Sequence, residues 1–244
     1  MQLGRFTLAL GLVLGAVVAR ASTFEPLAFR DVVQRADLGF HGAVVAIHES
    51  VHPGGRMAFT HVRFRVDSTI VDRHSGIVGG HVMLTFAGGT VASTRIVVAG
   101  VPTFAVGDEV VVFAHHDGKT YANPCIGGDR GLLRVLRDRA SQVAYPVDAA
   151  SRAIASFEHG GQSPGQVGAA AVPVVDEPVF TDVVLSIEAG TIAWRPRATP
   201  ASPPLPERTD RGGAVRASSV VDPPRPDAIV TLASFLECVR AIAR

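Results

Sequence analysis

The chain is poor in cysteine, tryptophan, tyrosine and charge: 244 residues include 2 cysteines, 1 tryptophan and 2 tyrosines, and 18% are charged. Two cysteines, Cys125 and Cys238, are too few for a disulfide-stapled scaffold, and neither stands in a CxxC clamp. With 23 basic against 22 acidic side chains the formal charge is +1, and no dense run of Lys or Arg offers a footprint for nucleic acid.

Catalytic signatures are weak as well. HESVH at 48–52 has the letters of HExxH, but it continues the strand-like run Val44–Ile47 and not a helix, which the motif needs to bring its two histidines onto one metal; GIVGG at 76–80 does not open a helix inside a βαβ unit as a dinucleotide fingerprint must. Asp108-Glu109, Asp176-Glu177 and Asp31 with Asp37 give no spacing that argues paired acid and base. CIGGDRG at 125–131 is superficially similar to the GDSG loop of chymotrypsin-like proteases, but Arg130 stands where the nucleophilic serine is required. No catalytic residue and no cofactor is implied.

What is present begins at the amino terminus. MQLGRFTLALGLVLGAVVARAS carries Arg5, an apolar run from Phe6 to Ala19, and then Ala19-Arg20-Ala21. That order predicts a signal peptide over 1–21 with cleavage after Ala21, an uncleaved anchor being the alternative. No later segment approaches about 18 uninterrupted apolar residues, so the processed chain is expected to hold no stable membrane span and to be exported, periplasmic or secreted.

Periodicity then predicts a mainly β protein. Phe29, Val32, Val33 and Ala36 put one apolar stripe on a short N-terminal helix. Val44–Ile47, the alternating THVRFRVDSTIV, HVMLTFAGG, STRIVVAG, DEVVVFAHH and Leu132–Val135 read as about six β segments joined by glycine-rich turns. Asp117-Gly118 predicts a hairpin returning along KTYANP. The economical solution over 22–140 is a small antiparallel OB-like barrel, because closure removes exposed edges.

The remainder predicts an irregular extension over 141–196, with a short helix near 149–157 and a late hairpin at 179–196. A Pro-rich disordered segment over 197–228 and a C-terminal amphipathic helix within 229–244 follow. In that helix Thr231 is the cap, and Leu232, Phe235, Leu236, Val239 and Ile242 form the stripe.

Three features are candidate sites. His48, His61 and His115 could be assembled by the fold into a metal site, against the simpler reading of histidines at turns and strand ends. If adjacent His115 and His116 lie on a strand, they point to opposite faces, so one of them at most joins a given shell. Trp194 is either a binding contact or an anchor for the late hairpin, and Cys125 and Cys238 either pair or remain thiols.

The order TFEPLAFRDVVQRAD, LGFHGAVVAIHES, THVRFRVDSTIV, LTFAGGT and GVPTFAVGDEVVVFAHHDG resembles a group of uncharacterised exported bacterial proteins with a small OB-like barrel. Ala36-Asp37 at the helix end and Pro102, Phe104, Gly107, Asp108 and Glu109 before VVVF carry the likeness. The arrangement is distantly similar to netrin-like modules and tissue inhibitors of metalloproteinases. It departs from those inhibitors because the processed terminus is Ser22, with no cysteine before Cys125 to chelate zinc.

The residues and the resemblance together imply an exported noncatalytic binding or interaction module whose partner is a protein, a glycan or an envelope component. The alternatives are an inhibitor or accessory partner of a secreted protease and a histidine-based metal-dependent enzyme.

Overall fold

The computed structural model describes residues 27–52, 57–160, 174–188, 191–196 and 229–244. The signal segment with its cleavage point at Ala21 and the Pro-rich segment 197–228 lie outside the described residues.

Among the described residues eleven strands and two α-helices follow one another as α1 (Phe29–Arg35), β1 (Leu38–Val51), β2 (Ala58–Asp72), β3 (His81–Ala87), β4 (Gly89–Val91), β5 (Thr94–Ile96), β6 (Glu109–Ala114), β7 (Leu132–Arg137), β8 (Ala144–Val147), β9 (Arg152–Gly160), β10 (Val174–Glu188), β11 (Thr191–Pro196) and α2 (Leu232–Ile242). Nine strands form one antiparallel sheet in the order β11-β10-β9-β8-β7-β6-β1-β2-β3, and β4 with β5 makes a separate hairpin. The mainly β antiparallel class is therefore observed. The sheet is not closed: among the described residues no pairing joins β3 to β11.

The run Val110–Ala114 explains the layering. Val111 and Phe113 face a cluster built with α1, α2, Leu133, Val135 and Ile154. Val110, Val112 and Ala114 face a second cluster with Leu38, Phe40, Val62, Phe64, Leu84 and Phe86. A strand covered on both faces has no interior position for a polar residue, which is why VVVFA, after Glu109 at its start, is continuously apolar rather than alternating. β2 has one wet face and keeps the predicted period of two, burying Val62 and Phe64 while Arg63 and Arg65 stay exposed.

Strand β1 serves both halves, pairing with β6 over Leu38–Ala43 and with β2 along its whole length. Its ladder is interrupted between Gly39 and Phe40, His41 and Gly42, and Val44 and Ala46, and such bulges bend a strand. Gly42 is required there, since a Cβ would lie 2.1 Å from the Arg65 carbonyl oxygen.

Three expectations need correction. KTYANP does not return along β6 as a hairpin; both edges of β6 are already taken by β1 and β7, so 115–124 is a loop. The Asp117 carboxylate organises that loop, accepting the Lys119 N–H at 3.1 Å, the Lys119 ammonium at 2.7 Å and the Tyr121 hydroxyl at 3.1 Å. The helix expected near 149–157 is the start of β9. There Asp148 accepts the N–H groups of Ala150 and Arg152 at 2.9 and 2.8 Å, turning the chain into a hairpin that the Ala content concealed. Position 140 is consequently no domain boundary, because the sheet runs through it.

The late hairpin is present, with Glu188 opposite Thr191. The C-terminal helix also forms as its stripe predicts, with Thr231 Oγ1 accepting the Ser234 N–H at 3.4 Å. Its buried residues are Leu232, Phe235, Leu236, Val239 and Ile242. Phe235 lies between Phe29 and Phe157, each ring centroid 5.9 Å away.

Cys125 and Cys238 are not joined. Cys125 is buried in the cluster around β1–β3, whereas Cys238 rides on α2, which covers the opposite face of β6. Burial pushes the Cys125 thiol up to about 12.

Two outcomes follow. Phe235→Ala should lower the unfolding free energy by about 3–5 kcal/mol in urea titrations, while the exposed Glu237→Ala should change it by less than about 0.5 kcal/mol. Cys125 should resist a thiol reagent in the folded protein and react once denaturant is added; alkylation mapped by mass spectrometry reads both states.

Candidate functional site

The residues just before the VVVF run of β6 hold the scaffold. Gly107 has φ +95 and donates to the Val44 carbonyl at 2.9 Å, and Val44 donates to the Asp108 carbonyl at 2.9 Å. This fastens the turn to β1. The Asp108 carboxylate accepts the Ala105 N–H at 2.9 Å and the Arg134 guanidinium at 2.7 Å. Glu109 then reaches the only buried histidine among the described residues, His41, at 2.8 Å, and also binds Arg137 through Nε at 3.1 Å and through Nη2. Burial draws the Glu109 carboxyl upward, but the hydrogen bonds and charges of His41 and Arg137 outweigh it and bring the carboxyl down to about 2.

Asp37, at the end of α1, plays a similar part. Its carboxylate accepts the His116 N–H at 3.1 Å and lies 3.4 Å from His74 Nε2 and 3.6 Å from His115 Nδ1. It therefore ties the loop after β2 to the loop after β6. A third tie is Glu177 of β10, which accepts the Phe29 N–H at the start of α1 at 2.6 Å and pairs with Arg130 at 2.5 Å.

Open space lies elsewhere, along β3. A cleft of about 720 Å³ is lined by Met57, Phe59, His61, Met83 and Thr85 of the outer sheet surface and by loop residues His115, Lys119 and Tyr121. Met57 and Met83 are 53% and 59% exposed and set two flexible apolar side chains together in the same cleft. The loop crosses the end of β3, where Ala87 donates to the Ala122 carbonyl at 2.8 Å. The volume falls in the roughly 300–1,000 Å³ range of ligand clefts.

The expected site residues separate. His48 and His61 are opposite one another on β1 and β2, with ring centroids 6.2 Å apart. Both nitrogens of His61 already meet hydroxyls, Ser50 Oγ at 2.7 Å and Thr85 Oγ1 at 2.9 Å. His115 stacks on Tyr121 at 4.6 Å and faces Asp37, so it does not turn toward the other two. Among the described residues no three His, Cys, Asp or Glu side chains are arranged to hold a metal ion. Trp194 is placed on β11 opposite Leu185, and the role expected of its side chain lies outside what is described.

Sequence reasoning passed over Met57 and Met83. The signal was available for Met83, which occupies a wet position in the alternation of β3, where His81 and Thr85 are its neighbours in phase.

Glu109→Gln removes the charge that holds His41 and Arg137 and should destabilise the fold by about 2 kcal/mol at neutral pH. The Glu109 carboxyl is depressed from its ordinary 4.5, so its contribution is complete above that pH and is lost as the pH falls toward about 2. Urea titrations at about pH 7 and about pH 3 should therefore show the wild type and Glu109→Gln converging in acid.

The chain matches no family model, no curated protein and no solved structure, so its geometry is what a functional reading stands on.

Proposed function

We propose that this chain is an exported, noncatalytic binding module, periplasmic or secreted, that takes a polypeptide ligand in the cleft along β3. The curved strands β1–β3 with β6 are the OB-like part of that proposal: one bulged strand, β1, pairs on both sides around a shared core. Export is supported by the amino-terminal Arg5, apolar run and Ala-Arg-Ala order.

The observation that carries the binding reading is the pair of exposed methionines beside Phe59 on the cleft floor. Thioethers are flexible and polarisable, so they fit varied apolar side chains, and exposing them to water is otherwise a cost. A glycan is less well served. One face of the Tyr121 ring, an aromatic on which a sugar could stack, is already covered by His115. Catalysis is less well served too: among the described residues His61 meets two hydroxyls and no carboxylate, and His115, which Asp37 faces, is stacked on Tyr121.

Two measurements check the reading. Amino-terminal sequencing of the protein from the exported fraction should begin at Ser22; retention of the segment 1–21 would count against export by cleavage. Cross-linking of the full chain in that fraction should trap a polypeptide partner, and the double variant Met57→Ser, Met83→Ser should weaken that capture about tenfold or more without loss of fold. Equal capture by the variant would remove the cleft from the proposal.

A further inference from the structure

Backbone groups, as well as side chains, face the cleft. His81 and Val78 exchange hydrogen bonds of 2.9 and 3.0 Å, and Ala87 donates to Ala122 at 2.8 Å. Those partners lie on the side of β3 away from β2, so the odd-numbered residues of β3 direct their N–H and C=O groups outward from the sheet. Met83 and Thr85 share that phase. Among the described residues no backbone group takes theirs, and two N–H and two C=O groups are left along the open edge between the two closures.

Resting on the polypeptide reading, we propose that an extended segment of a partner protein adds to β3 as a further strand over Met83–Thr85. The edge supplies the main-chain ladder, and the apolar floor of Met57, Phe59 and Met83 receives side chains that recur at every second residue. A charge one strand inward from the edge sets a preference. Arg63 lies directly across from Met83 on β2, exposed, and has no carboxylate partner among the described residues, whereas Lys119 is paired with Asp117 at 2.7 Å. The segment recognised is thus extended and alternately apolar, with an acidic residue placed to meet Arg63. Edge strands left open are templates for such pairing, and the two closures, at His81 and Ala87, limit this one to a short stretch.

The test uses the full processed chain and a displayed library of random seven-residue peptides. Selection should enrich peptides with alternating apolar residues and an acid. N-methylation of a peptide amide that pairs with the edge should weaken binding about tenfold, while methylation of its in-phase neighbour facing away should not. Amide exchange should be fast at Met83 and Thr85 in the free protein and slowed by bound peptide. Arg63→Glu should reverse the acid preference without altering the melting profile.

Peptides that bind through Met57 and Met83 but are insensitive to N-methylation would overturn strand addition and leave the polypeptide reading in place. Slow exchange at Met83 and Thr85 in the free protein, with a dimer in sedimentation, would assign the edge to a second copy of the chain and overturn the partner. Failure to enrich any peptide over the Met57→Ser, Met83→Ser variant would overturn both.

Discussion

Strand β6 is covered on both faces, and the rest of the molecule is arranged around that constraint. Its odd and even residues belong to different cores: one roofed by α1 and α2, the other wrapped by β1, β2 and β3. Burying both faces of a strand removes more apolar area from water than burying one, and it leaves only the two ends for polar residues. The polar groups duly gather there. The Gly107-Asp108-Glu109 turn stands at the start of the strand and Asp37 meets the loop that leaves its end.

Those two groups of carboxylates make the same kind of connection. Asp108 and Glu109 collect Arg134, Arg137 and His41 from β7 and β1, while Asp37 collects loop backbone and two imidazoles. Each is a charge satisfied by several donors instead of a lone surface pair, and partly buried carboxylates of that kind fix how elements meet. A cluster of acids and histidines here is consequently architecture. The cleft, by contrast, keeps apolar side chains in water and a backbone ladder unfinished, and that difference in economy separates scaffold from site.

Much of the fold was legible because its signals were local. The α1 stripe, the alternation of β2, the late hairpin and the α2 stripe with its Thr231 cap each declare themselves within a few turns or strand repeats. What failed depended on distant partners. Asp117-Gly118 looks like a hairpin corner, but both edges of β6 are claimed by segments far away in sequence, so the chain beyond it becomes a loop. Residues 149–157, with four alanines, are helix-like in composition, yet Ile154 and Phe157 pack with α2, which pulls them into the sheet. Closure was inferred from a sheet ending near 140, and β8–β11 extend it instead. At the site, histidines drew attention because their chemistry is visible in one letter, whereas an unpaired strand edge has no letter at all.

The position of α2 has a consequence for when the molecule becomes a protein. Phe29, Val32 and Val33 of α1 share their core with Phe235 and Val239, roughly two hundred residues further along. Until that helix has been synthesised, the first helix has no complete surface to settle on, and contacts of such long range are slow to form. In a nascent chain the core beneath α1 is therefore completed only after residues 232–242 have been made. For a polypeptide proposed to be threaded across a membrane before it folds, that order keeps the first helix without its full cover until the second has followed it through.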